Sequence, residues 1–282
     1  TPFQVITTHH HDVLCTQPLN TTELAPYTQE EADTPIFLHV RDATNQGCRK
    51  AMIRTVDSDV VVLAVAAVPQ LNIDELWIAF GTGKSFRYLP AHHMSNALGP
   101  DRYTALPFLH AFSGCDTVSC FGGRGKRTVW DIWKAYDEVT PALTTHDERF
   151  VILLYDRTSS EEDVNVARKQ LFAQKGRPMD GLPPTKAALK EHTRRAAYQA
   201  GHVWATMFVR EPILPSPAEW GWLQTDNGGW KVKWTELPEA SHACRQLLRC
   251  GCKKGCSAKC KCVKAALPCT ALCLCHSICD RE

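Results

Sequence analysis

The sequence predicts an α/β protein with a small cysteine-rich tail, and three observations carry this prediction. Short apolar stretches rich in β-branched residues alternate with stretches of helical spacing over most of the 282 residues. A hydrophobic fraction of 44% with 22% charged residues is typical of a globular chain that buries a sizeable core. Ten of the 14 cysteines fall between Cys244 and Cys279, so the end of the chain differs in kind from the rest.

The first residues of the given sequence do not have the pattern of a secretory signal. No run approaches the roughly 18 apolar residues of a membrane span, and the first residues lack the basic and apolar regions of a secretory signal. We therefore expect an intracellular chain without a membrane partner. The absence of an initiating Met favours a fragment, and we interpret residues 1–27 as a flexible segment.

Two carboxylates, Asp57 and Asp59, stand where a predicted strand ends. The stretch AMIRTV before them has the composition of a buried strand, and ELWIAFGTG at 75–83 and the following SFRYLP predict further strands. Open α/β sheets place their ligands at the carboxyl ends of parallel strands, so these residues are candidate ligands. The alternative is a plain strand-to-helix turn with Asp59 as the N-cap.

Three more acids, Glu31, Asp33 and Asp116, adjoin apolar elements. The stretch TQEE at 28–31 fits a capping box, and Asp33 or Thr34 can cap a helix whose first turn contains Pro35. Asp116 can likewise cap the helix that follows it. Taken singly, such acids are more often helix caps than metal ligands.

Helical spacing dominates the stretch after residue 128. TVWDIWKAYDEV, ERFVILLYDR and SEEDVNVARKQLFAQKG predict a helical subdomain in which Trp130 and Trp133 are core residues. GRPMDGLPPT is typical of a linker, and the basic helix after it, with Arg194 and Arg195, favours a solvated face over a DNA contact. The Trp-rich segment 212–234 predicts a short hairpin around an Asn-Gly-Gly turn.

The tail needs cross-links or metal, because it holds too few apolar residues for a core of its own. Neighbouring thiols in its C-x-C pairs are poorly placed to form disulfides with each other, whereas clustered thiolates suit tetrahedral zinc. Disulfides or an unstructured metal-binding segment are the alternatives. Between residues 244 and 282, eight basic residues face two acidic ones, which favours contact with phosphate over a solvated face used for protein contact.

The spacing C-x-C-x3-C-x3-C-x-C-x6-C-x3-C-x-C-x3-C resembles the CXC domain of tesmin and TSO1-like proteins, also called the CRC module. The resemblance implies three structural zinc ions, some bridged by thiolates, and DNA binding. It implies nine ligands: Cys250, Cys252, Cys256, Cys260, Cys262, Cys269, Cys273, Cys275 and Cys279. The basic residues expected to contact DNA are Lys253, Lys254, Lys259 and Lys261. Lys259 stands where two-repeat members carry a Tyr, so we expect mostly phosphate binding.

The order of QEEADT, TVDSDVVVLA and LHAFSGCDTVSCFGGRGK resembles the PIN-like and flap-endonuclease superfamily, over roughly residues 28–175. Members are metal-dependent nucleases with acids above a parallel sheet, so the resemblance implies that fold and two Mg²⁺ or Mn²⁺ ions. It implies a metal site built from Glu31, Asp33, Asp57, Asp59 and Asp116. It also implies a turn that contacts the DNA backbone, formed by Gly123, Arg124, Gly125, Lys126 and Arg127.

The combination resembles transposon-associated animal proteins and predicts four segments. These are residues 1–27, a PIN-like domain at 28–175, a linker with basic helix and hairpin at 176–243, and the CXC domain at 244–282. The predicted function is that of a nuclear, DNA-associated protein with a nuclease-like domain and a zinc-binding tail. The alternative is a non-enzymatic scaffold in which the same fold binds DNA or protein.

Overall fold

A computed structural model shows a mixed α/β protein with small sheets. The structure describes residues 4–29, 31, 33–136, 147–174 and 178–235, and in the tail residues 250–252, 256–264, 269 and 273–275.

The central sheet has three strands in the order β3-β4-β5. Strand β3 (Lys50–Thr55) runs parallel to β4 (Glu75–Phe80), with Ile53 opposite Ile78. Strand β5 (Arg87–Pro90) is antiparallel to β4. The strands predicted from AMIRTV, ELWIAFGTG and SFRYLP are therefore confirmed.

The PIN-like parallel sheet implied by the resemblance is not confirmed, since the described strands form only one parallel pair. The reason lies in the lengths of the connections. Residues 56–74 between β3 and β4 contain a helix, which is long enough for a parallel crossover. Residues 81–86 between β4 and β5 are too few for a crossover, so the chain returns antiparallel.

Helices surround this sheet and extend beyond it. Their bounds are α1 (Pro35–Asn45), α2 (Ser58–Ala67), α3 (Ala91–Phe112), α4 (Lys126–Ala135), α5 (Asp147–Tyr155), α6 (Val164–Ala173), α7 (Lys186–Tyr198) and, in the tail, α8 (Lys261–Lys264). Helix α3 is kinked at Gly99, whose φ of 75° is not helical, directly before Pro100. Among the described residues, no helix has the length and apolar character needed to cross a bilayer.

One connected core unites these elements from α1 to α7. Phe37 of α1, Phe112 of α3 and Phe150 of α5 are fully buried in it. Trp133 is also fully buried and Trp130 packs against the core, as predicted. Leu189 and Ala196 of α7 belong to the same core, so the packing continues past residue 175, where the sequence suggested a domain boundary.

Two hairpins lie at the ends of this body. Strands β1 (Ile6–His9) and β2 (Asp12–Cys15) pair within residues 1–27. Strands β6 (Trp222–Gln224) and β7 (Trp230–Val232) form the predicted Trp-rich hairpin. Gly228 in its turn has a φ of 82°, a left-handed conformation that glycine adopts without steric cost.

A buried histidine joins α7 to α3 and to the loop after α3. His192 Nε2 lies 2.8 Å from the Phe112 carbonyl oxygen, so Nε2 donates, and Nδ1 accepts from Ser119 Oγ at 3.2 Å. Its ring also packs against those of Phe112 and Phe121. Burial lowers the pKa of His192 from 6.5 to about 4, because the imidazolium would lose its hydration.

This histidine should make the protein less stable in acid. The folded-state pKa lies below the unfolded one, so the unfolded chain takes up a proton first as the pH falls. We expect the contribution of His192 to hold above about pH 6.5 and to decline by about 3 kcal/mol by about pH 4. Urea denaturation of the wild type and of His192→Gln at pH 7 and pH 4.5 measures the difference.

The exposed His93 supplies the matched control through His93→Gln. The His192→Gln variant should lose less unfolding free energy between the two pH values than the wild type and the His93→Gln variant. Equal losses in all three proteins would show that His192 does not couple folding to protons.

Candidate metal centre and acidic site

The tail brings eight cysteines together. Their sulfurs form three overlapping groups of four, and within each group all Sγ atoms lie within 4.8 Å of one another. The groups are Cys250, Cys252, Cys256 and Cys260; Cys250, Cys256, Cys269 and Cys275; and Cys250, Cys262, Cys269 and Cys273. Cys250 belongs to all three groups, and Cys256 and Cys269 to two each, so these thiols are placed to be shared.

The sulfur separations match the edges of a zinc tetrahedron. The Sγ atoms of Cys256 and Cys269 are 3.5 Å apart, those of Cys250 and Cys256 3.6 Å, and those of Cys262 and Cys273 3.8 Å. Four thiolates about 2.3 Å from one zinc ion stand about 3.8 Å from each other. A disulfide needs about 2.05 Å between its sulfurs, and none of these eight described cysteines forms one. The cluster could therefore bind zinc.

Cysteine side chains form the buried core of the described part of the tail. In its described part, the buried side chains are cysteines, with Val263 packed against them: Cys250, Cys260, Cys262, Cys273 and Cys275. A segment of this composition gains little from apolar burial, and bound zinc would add the free energy of metal binding to its stability.

Packed thiols resist ionisation without a cation between them. Burial raises the pKa of Cys262, and a hydrogen bond with Cys260 raises that of Cys252 to about 11. Burial also acts to raise the pKa of Cys260, but hydrogen bonds from the backbone N–H groups of Val263 and Cys262 outweigh it and hold that pKa at about 6. Zinc binding would therefore release protons.

The structure brings together eight of the nine cysteines that the sequence proposed as ligands. Cys279 lies outside the described residues, as do Lys253 and Lys254. Lys259 is exposed beside the buried Cys260. Lys261 is the first residue of α8, and its side chain lies outside the described part.

The predicted acids Glu31 and Asp33 lie before a helix and not within one. Helix α1 begins at Pro35, because proline fits the first helical turn and excludes the residues before it from the helix. Gln199 Nε2 donates to Glu31 Oε1 at 2.6 Å, and Trp204 Nε1 donates to Glu31 Oε2 at 3.1 Å. Burial raises the pKa of Glu31.

Asp57 and Asp59 lie at the carboxyl end of β3, where the sequence placed them. Asp57, and not Asp59, is the N-cap of α2: its Oδ1 accepts from the Asp59 backbone N–H at 2.8 Å. The Asp59 side chain instead reaches α3, where Oδ1 lies 2.7 Å from His110 Nε2. At the end of β3, Asp57 therefore caps α2, and Asp59 contacts His110.

Asp116 lies at the tip of a tight turn. Cys115 and Val118 exchange backbone hydrogen bonds of 2.9 and 3.2 Å across it, and Asp116 is exposed. Gly114 begins the turn with a φ of 111°, and a Cβ there would come within 2.7 Å of the Cys120 Cβ. Only glycine fits this position, and Asp116 does not cap α4, whose N-cap is Gly125.

The acids from these separate segments share one electrostatic environment. The pKa of Asp33 is raised by its own desolvation and by repulsion from Asp57, Asp59 and Asp116. Repulsion from Asp33 and Asp59 also acts on Glu31. Within the described residues, however, no three carboxylate oxygens lie within 4.8 Å of one another, in contrast to the tail sulfurs. A metal ion bound by several of these carboxylates would have to draw them closer.

A lysine lies inside this acidic group. Lys126 Nζ donates to the Gly114 carbonyl oxygen at 2.5 Å and lies 3.3 Å from His110 Nδ1. An ammonium only donates, so His110 accepts it at Nδ1 and donates from Nε2 to Asp59. Burial alone would raise the pKa of Asp59, but the hydrogen bond from His110 and the charge of Lys126 hold it below its usual range.

The side chains of the turn proposed to contact DNA, residues 123–127, have different surroundings. Lys126 is exposed, but its Nζ contacts His110 and the Gly114 carbonyl oxygen. The Arg124 guanidinium stacks over the Tyr155 ring at 4.9 Å from its centre. Gly123, with a φ of 65°, and Gly125 shape the turn, and Arg127 remains exposed. Its contact with DNA stays a prediction.

Sequence reasoning missed His110 and Gln199. His110 is buried within the apolar end of α3, and a histidine in an apolar run six residues before Asp116 was the available signal. Gln199 accepts from Thr117 Oγ1 at 2.8 Å and donates to Glu31, so it ties the Asp116 turn to the segment before α1. It opens a π-helical turn, Gln199–Val203, which no sequence pattern marks.

Comparison of the chain with family models, with curated proteins and with solved structures gives no match.

Proposed function

We propose that the chain is a DNA-associated protein whose C-terminal cysteine cluster holds zinc and presents lysines to phosphate. The observation that carries this proposal is the set of sulfur separations of 3.5–3.8 Å, which suits tetrahedral zinc and excludes disulfides between those pairs. Lys259 and Lys264 are exposed on either side of the buried Cys260 and Cys262.

The number of ligands favours shared thiolates. Three tetrahedral zinc ions have more coordination positions than nine cysteines can fill singly, so some thiolates must bridge two ions. Cys250, Cys256 and Cys269 are the candidates, because each belongs to more than one group of four. Bridging thiolates also raise the number of ions that one short segment can hold.

Elemental analysis of protein purified without added metal tests the zinc assignment. We expect about three zinc ions per chain with all thiols reduced, as the shared groups of four imply. A Cys250→Ser variant should lose most of the zinc, because this thiol belongs to every group, whereas Cys48→Ser, at an exposed site elsewhere, should lose none. No zinc in the wild type would reject the proposal.

Salt dependence of duplex DNA binding tests the second part. Log affinity falls as log salt rises, and replacing Lys259 and Lys264 together by Gln should reduce the steepness of this fall by about 2, because each phosphate contact releases counterions. The matched control replaces the exposed Lys134 and Lys231. An unchanged slope in the Lys259 and Lys264 variant, or equal changes in this variant and the control, would show that these two lysines do not contact phosphate.

A second candidate function, metal-dependent phosphodiester hydrolysis, is favoured by the convergence of acids. Asp33, Asp57, Asp59 and Asp116 come from three separate segments. Burial raises the pKa of Asp33, and repulsion from the other three carboxylates raises it further. Hard oxygen ligands of this kind suit Mg²⁺ or Mn²⁺, which would activate a water and stabilise the leaving oxygen. The competing interpretation is a scaffold in which Lys126 permanently neutralises these charges.

Cleavage assays on single-stranded and duplex DNA separate the two interpretations. With Mg²⁺ or Mn²⁺ the wild type should cleave, and Asp116→Asn should reduce the rate about a hundredfold or more through loss of a metal ligand. Asp116 is exposed and caps no helix, so the change should leave the fold intact. Asp131→Asn, at an exposed site on α4, is the control. Absence of cleavage by the wild type with either metal would reject the hydrolysis interpretation and favour the scaffold.

A further inference from the structure

A cavity of about 840 Å³ lies between the loop after α3, helix α7 and the end of the β6-β7 hairpin. Its size falls in the range of sites for small organic ligands, about 300–1,000 Å³. None of the five predicted acids and none of the tail cysteines is among its lining residues. It is therefore separate from both sites described above.

A buried arginine forms part of its wall. Arg195 of α7 is only 4% exposed, although the basic pattern of this helix favoured a solvated face. Its Nη1 donates to the Gly221 carbonyl oxygen at 3.2 Å. In the described part of the chain, its Nε has no hydrogen-bond partner and no carboxylate lies within 4.0 Å of it. Burying a cation without a paired anion is costly, so the wall is suited to an anionic ligand.

Cationic side chains outnumber carboxylates on the wall of the cavity. Lys233 and Arg168 add two cations, and Glu191 and Asp180 are the carboxylates. Glu191 Oε1 lies 3.2 Å from Arg194 Nη1 and 3.8 Å from Lys233 Nζ. The Glu191 charge also acts on Arg195, but from beyond 4.0 Å, and within the described residues its buried Oε2 has no hydrogen-bond partner. His192, also on the wall, is neutral near pH 7, because burial lowers its pKa to about 4. The charged side chains of the wall therefore carry a net positive charge.

An aromatic ring stands at the same cavity. Trp234 directly follows Lys233 and is 73% exposed, although it lines the cavity. An exposed indole beside cations offers a face on which a planar ring can stack. The backbone N–H of Lys233 donates to the Gly221 carbonyl oxygen at 3.0 Å, which is the oxygen that also accepts from Arg195. This shared acceptor holds the hairpin end beside the buried guanidinium.

We propose that this cavity binds a ring-bearing phosphate monoester of the nucleoside monophosphate class. Its phosphate would pair with Arg195 and Lys233, and its ring would stack on Trp234. Charge-assisted hydrogen bonds to phosphate and stacking on an indole are both strong contacts for their size, and they are independent of zinc and of the acidic site.

The test uses three probes on the full-length, zinc-loaded protein: deoxyadenosine 5′-monophosphate, deoxyadenosine and inorganic phosphate, each by isothermal titration calorimetry. The monophosphate should bind at least about tenfold more tightly than either partial probe, because only it makes both contacts. Trp234→Ala and Lys233→Gln should each weaken it at least about fivefold.

Matched controls come from the same hairpin. Trp230 and Lys231 do not line the cavity, so Trp230→Ala and Lys231→Gln should leave binding of the monophosphate unchanged. Arg195→Met should abolish binding. Because Arg195 is buried, this result is used only if the variant unfolds cooperatively, as a folded protein does. The exposed Lys233 and Trp234 variants test the proposal even if Arg195→Met does not fold. No saturable binding up to about 10 mM, or equal losses in the control variants, would overturn it.

Discussion

The contact between Asp59, His110 and Lys126 is the constraint on which the arrangement of the acidic segments depends. It joins the start of α2, the end of α3 and the start of α4 through hydrogen bonds of 2.7 and 3.3 Å. Carboxylates drawn from remote segments repel one another when they are partly buried, and a cation among them offsets that repulsion. Lys126 supplies the cation, and Gly114 supplies the carbonyl oxygen and the left-handed turn that bring it there.

This internal cation has a consequence for metal binding. A divalent ion among the same carboxylates would perform the electrostatic role that Lys126 performs without it, so the two compete for Asp57 and Asp59. Within the described residues neither Asp33 nor Asp116 forms an ion pair, so these two carboxylates remain more available to an ion. Glu31 is held differently, by the neutral donors of Gln199 and Trp204. The site therefore combines two ways of accommodating a partly buried carboxylate, a neighbouring cation and neutral hydrogen-bond donors.

Local patterns in the sequence were sufficient for much of the secondary structure, because strand composition and hairpin turns act over a few residues. The strand ending before Asp57 and the Trp-rich hairpin follow from such patterns. The direction of β5 depends on the length of a connection, and the burial of Arg195 depends on the hairpin packed against α7. Tertiary contacts across many residues decide such features, as they do for Gln199, whose partners Glu31 and Thr117 are 168 and 82 residues away.

The tail was the most predictable site for a physical reason. Its ligands are close in sequence, so the spacing of cysteines nearly determines which sulfurs can meet, whereas the acidic site needs a folded body to assemble it. The same locality would make the fold of the tail depend on bound zinc, because burial raises the pKa of thiols such as Cys262 and a core of sulfur gains little from leaving water. Zinc would replace those protons, supply the cross-links and fix the backbone that carries Lys259. With zinc bound as proposed, folding and metal binding of this segment would be one equilibrium, and contact of its lysines with phosphate would be conditional on the metal.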